Sequence, residues 1–211
     1  MTEAEWENTH KPRQLVAAAT LGIRQQRLLA VAACRTLPSD LLPMGAEGWL
    51  TAAERLAERP ECTVSHRKAR HLASGLRWPM PRPYFSDRVE WAFVSLFTGP
   101  LTTTLHCVGV ATGRIIPSAD HEHPAIHLSD LVRDIVGNPF RPVAFDPGWR
   151  TSTAVALARQ MYDARDFGLL PVLADALEEA GCDAAALLAH CRGPGPHVRG
   201  CWAVDLVLGN S

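Results

Sequence analysis

The segment Ala189–Cys201 packs two histidines, two cysteines and two arginines into thirteen residues. Neutral imidazole and thiolate are the donors that zinc takes, at roughly 2.0–2.3 Å. If a helix begins at His197, then His197 and Cys201 lie four apart on one face, and Asp205 continues the stripe. His190 or Cys191 reaches the same place from the end of the preceding helix, across the turn Gly193–Pro196. The candidate metal ligands are therefore His190, Cys191, His197 and Cys201. Cys182 stands at the other end of that preceding helix, roughly 13 Å away at the helical rise, and is left out. The same residues allow other readings. Cysteine is most often a small buried hydrophobe. Arg192, His197 and Arg199 beside a helix start could seat an anion or a partner. A Cys201 nucleophile activated by His197 would need an open cleft and an oxyanion hole.

A second segment, Gly137–Pro142, is a proline-braced loop that offers Asn138 and Arg141 to a ligand, since rigid loops present function. Asp120–His127 holds three histidines and two acids without an HExxH pattern, and reads as a polar linker. Val64–Leu76 is a basic amphipathic stretch that reads as a solvated face. A phosphate-binding glycine loop, a GxSxG elbow, paired catalytic carboxylates and a CxxC pair are all missing from the chain.

The elements that must position these residues are helical by pattern. Pro12–Leu37 reads as two short helices in a hairpin, broken near Gly22 and stopped by Pro38. Ala46–Arg59 is a helix ended by Pro60. Asp87–Phe97 and Leu101–Val110 are apolar segments favoured as helix, and Arg114–Pro124 is loop. Ile126–Val136 is a helix with Leu128, Leu131, Val132 and Ile135 on one face and Gly137 as its C′ residue. Helices follow from Thr151 or Ser152 to Arg165, from Pro171 to Glu179, from an Asp183 cap to Gly193, and from His197 to Leu208. The expectation is an all-α protein: a helical N-terminal region at 1–77, a proline-rich linker and variable segment at 78–125 opened by Trp78–Pro83, and a compact C-terminal helical domain at 126–211.

Composition bounds the function classes. Of the 211 residues, 47% are hydrophobic and 20% charged, which supports a buried core and argues against disorder. The net charge of −1 provides no bulk attraction to nucleic acid or anionic membrane. All but two of the 21 basic residues, Lys11 and Lys68, are arginine, a bias expected of a GC-rich bacterial genome. The N-terminus has no basic segment leading into an apolar run, and no apolar stretch is long enough to span a bilayer, so a cytoplasmic protein with reduced thiols is expected.

Three blocks, Asp134–Val143, Leu173–Asp183 and His190–Trp202, together with Met1–Trp6 and Leu29–Arg35, resemble a planctomycete-type family of bacterial proteins without an assigned activity. The likeness covers roughly half the chain. Ala33 stands where that family typically has a first cysteine of a pair. The resemblance implies a helical bacterial cytosolic protein and adds no mechanism. The leading expectation is a non-catalytic binding or scaffolding module with a protein partner and no cofactor, touching it through Asn138, Arg141, Arg192, His197 and Arg199. The alternative is a zinc-binding domain, enzymatic or not, centred on His197 and Cys201.

Overall fold

The computed structural model describes residues 1–39, 42–59 and 124–210, with the isolated positions 71, 89, 92, 95, 101, 104 and 108. Among the described residues the secondary structure is helical, with no strand, as the patterning predicts. The chain divides into two compact units, Met1–Val132 and Arg133–Ser211.

In the first unit, α1 (Glu3–Asn8) starts from a capping box that periodicity alone does not reveal. The Thr2 hydroxyl accepts the Glu5 N–H, and the Glu5 carboxylate accepts the Thr2 N–H. Helices α2 (Pro12–Ala18) and α3 (Ile23–Arg35) match the expected pair, and α3 packs on α4 (Ala46–Ala57). The run Leu28–Cys34 is buried on every side, against Leu50, Ala53 and Ala57 of α4. Arg35 grips Glu47 through two hydrogen bonds of 2.6 and 3.0 Å and reaches the buried Glu54 at 3.1 Å, tying α3 to α4. Arg27 donates to the Leu56 carbonyl at 2.7 Å, satisfying an orphan acceptor at the end of α4. Leu101, Thr104 and Val108 are helical and buried. The other positions of the stretches expected at 64–76, 87–97 and 101–110, and the loop at 114–123, lie outside the described residues.

α5 (Pro124–Val136) crosses from the first unit into the second. Gly137 adopts the left-handed conformation expected of a C′ residue, φ 72°. A Cβ there would stand 3.2 Å from the Trp202 ring, so the missing side chain also makes room for the indole. The second unit continues with a 3-10 turn (Pro147–Trp149), α6 (Ser152–Ala164), α7 (Leu170–Glu179), α8 (Ala185–Arg192) and α9 (Trp202–Leu208). Ala158, Met161, Leu173, Leu177, Leu187 and Val204 form the centre of one apolar core. Arg150 donates to the carbonyls of Val207 and Leu206 at 2.9 and 2.8 Å, closing the end of α9.

Two local expectations change. Ala184, with no side-chain cap bond, is the N-cap of α8, not Asp183. The last helix begins at Trp202, not at His197. Pro194 and Pro196 hold φ near −65° and lack an N–H, and Gly195 and Gly200 have φ of 88° and 95°, so 193–201 runs as a non-helical corner. His197 and Cys201 therefore share no helical face.

Candidate metal centre

The corner nevertheless brings the imidazole and thiol groups together, by another route. α8 ends at Arg192 and presents His190 from its last turn. The chain then doubles back through Gly193–Pro196 and delivers His197. Gly195 is required here: a Cβ would lie 3.1 Å from the His197 nitrogen and 3.3 Å from its ring Cδ2. Cys201 follows as the N-cap residue of α9, and the last turn of α5 supplies Asp134 from the opposite side.

The Asp134 Oδ1 lies 2.9 Å from His197 Nδ1 and 3.3 Å from His190 Nε2, and His190 Nε2 lies 3.1 Å from Cys201 Sγ. One donor atom from each of Asp134, His190, His197 and Cys201 falls within 4.8 Å of all the others. Donors around a tetrahedral zinc are separated by roughly 3.3–3.8 Å, so on binding an ion the close contacts would open by about a few tenths of an ångström and the widest separations, up to 4.8 Å, would close by about 1 Å. The surrounding bonds aim the donors. Asp134 Oδ2 accepts the Val198 N–H at 2.9 Å, leaving Oδ1 for the cluster. His197 Nε2 faces the Gly193 carbonyl at 3.3 Å. A carbonyl only accepts, so Nε2 carries a proton and Nδ1 is the nitrogen presented to the centre.

Burial and charge act together. Cys201 is fully buried and Asp134 is 3% exposed. Burial alone would raise the Asp134 carboxyl, but hydrogen bonds from His190, His197 and the Val198 N–H hold it below the usual carboxylate range. Burial alone would lower His197, but the Asp134 carboxylate raises it above the ordinary imidazole value. Burial, and secondarily the Asp134 charge, pushes the Cys201 thiol well above its ordinary value. Without a cation the thiol keeps its proton; a metal ion beside it would favour the thiolate.

These features disfavour a cysteine nucleophile. The sulfur is inaccessible, its thiol is stabilised, and the same His190 nitrogen faces both the thiol and Asp134. A relay needs the two nitrogens of one imidazole to hold the thiol and the carboxylate separately.

The other residues drawn from the sequence are placed elsewhere. Cys191 is fully buried in the apolar core, with burial pushing its thiol up to about 12, and is not among the four clustered residues. Adjacent positions on α8 point apart, so His190 and Cys191 cannot both face one centre. Arg192 bridges Asp175 at 2.8 Å and Glu178 at 3.1 Å. Arg199 lies over the Tyr162 ring at 4.4 Å. The Asn138 Oδ1 accepts the Phe140 N–H at 2.9 Å, and Arg141 is exposed in the same loop. Of the five proposed contact residues, His197 belongs to the cluster, while Arg192 and Arg199 are held by intramolecular contacts.

Asp134 is the member of the cluster that sequence reasoning missed. Trp202 was missed too: its ring lies 4.9 Å from that of His190. Comparisons with protein-family models, curated proteins and solved structures give no match, so the functional reading rests on this geometry.

Proposed function

We propose that the second unit is a helical metal-binding domain in which Asp134, His190, His197 and Cys201 hold one divalent transition-metal ion. The convergence of four donors from α5, α8 and the 193–201 corner carries this reading. Between a binding module touching its partner through five polar residues and a metal-supported domain, the placement of those residues favours the second. Among the described residues, Cys34, Cys182, Cys191 and Cys201 carry no disulfide, which supports a reducing compartment such as the bacterial cytoplasm. No helix of the described residues is long and apolar enough to cross a membrane.

Elemental analysis tests the reading on the full chain, purified without chelator and, separately, reloaded with zinc. About one ion per chain is expected, lost in Cys201→Ser and His197→Ala but retained in Cys191→Ala. A wild-type protein that takes up no zinc, and melts at one temperature with and without chelator, refutes the proposal.

A further inference from the structure

The metal reading leaves open whether the ion performs chemistry or only holds the fold, and the geometry separates the two. We propose that the ion is four-coordinate and sealed, a zinc-class staple with no position left for water or substrate. The inference rests on the metal reading above and adds to it the coordination number, the class of metal and the role.

Three observations carry it. The donor count is limited by bonds already made. Asp134 Oδ2 is turned to the Val198 N–H while Oδ1 faces both histidines, so the carboxylate presents Oδ1 to the centre. The His197 Nε2 is engaged by the Gly193 carbonyl, so this ring offers Nδ1 alone. Cys201 offers its sulfur and His190 its Nε2, the atom that faces both the sulfur and the Asp134 oxygen. Four ligands supply four atoms.

The donor types select the ion. Two imidazoles, one thiolate and one carboxylate suit zinc, or cobalt in its place, and give four-coordinate sites. Magnesium and calcium take six or more oxygens, and two anionic donors match a divalent charge. A buried site needs that balance, because an uncompensated charge in a low-dielectric interior is costly.

The enclosure excludes a fifth ligand. The side chains of Asp134, His197 and His190 are 2%, 11% and 20% exposed, and Cys201 is fully buried. His190 is the most open edge, and there the Trp202 ring packs at 4.9 Å, tilted by 52°. A catalytic zinc keeps a water in its fourth position; here a protein side chain fills each place.

Cobalt substitution in the full chain reads the coordination directly. The wild-type protein with Co2+ is expected to show the intense visible bands of a four-coordinate ion and a near-ultraviolet sulfur-to-cobalt charge-transfer band. Added azide should leave both unchanged. In His190→Ala, which removes the ligand nearest solvent, the bands are expected to move on adding azide or imidazole. A wild-type spectrum that is weak and six-coordinate, or that shifts with azide, overturns the sealed staple while the metal reading stands. Failure to take up either Co2+ or Zn2+ removes both. The wild-type azide response decides the matter even if His190→Ala does not fold.

Discussion

At the scale of single residues, the centre depends on a glycine as much as on its donors. Gly195 has φ of 88°, and a Cβ there would press on the backbone and ring of His197. Gly195→Ala is therefore expected to cost about 1–3 kcal/mol of stability. It should also weaken zinc binding, because the displaced ring is one of the four proposed ligands. Calorimetric titration of the variant with zinc checks this; wild-type affinity would mean that His197 is not held by its corner. His190, His197 and Cys201 were readable in the sequence because a short segment concentrates them. Asp134 was not, because it lies 63 residues before His197 and nothing in local spacing announces that approach. On α5 it sits one turn after Asp130, away from the apolar stripe, and so looks like a second solvent-facing acid. Its burial arises only when the 193–201 corner closes over it.

At the scale of elements, most helices were readable because apolar residues recur at helical spacing and glycine or proline marks the ends. The errors fall where a few residues decide. The last helix reads from His197 to Leu208 because the Gly193–Pro196 turn ends there, whereas it begins at Trp202. Gly200, with φ of 95° in the left-handed region, ends any helix from His197 before it reaches Cys201. α1 was missed although Thr2 and Glu5 spell its capping box, because six residues are too short to show a period. The α7–α8 pairing gives a prediction at this scale. Arg192 on α8 holds Glu178 on α7, and this partner keeps the Glu178 carboxyl below its usual 4.5. A carboxylate depressed in the fold contributes stability above its unfolded value, lost as the pH falls through the folded one. Glu178→Gln should therefore melt slightly below wild type at neutral pH, the small effect of a solvent-exposed pair. The gap should close in acid, as the pH falls through the lowered folded value and the wild-type carboxyl also becomes neutral. A melting difference that persists unchanged in acid would assign the effect to something other than the ion pair.

At the scale of the whole molecule, the all-α class was readable from composition and periodicity together. The sequence reading sets a C-terminal helical domain at 126–211, and the compact unit Arg133–Ser211 begins within α5, the first helix of that domain. Metal removal should therefore act unevenly. All four donors belong to the second unit, and an ion that binds only the folded state stabilises it in proportion to the logarithm of its excess over Kd, about 4 kcal/mol at a thousandfold. Hydrogen exchange of the full chain, measured by mass spectrometry with zinc and then with chelator, reports this locally. Chelation is expected to speed exchange across α8, the 193–201 corner and α9, and in the last turn of α5. The α3–α4 pair should keep its protection, because its buried run and its Arg35 clamp lie in the first unit. Equal loosening of both units would show that the ion governs global unfolding rather than the second core. No change anywhere would show that the Asp134 carboxylate and its histidines hold the corner without help, and that the four donors meet for packing alone.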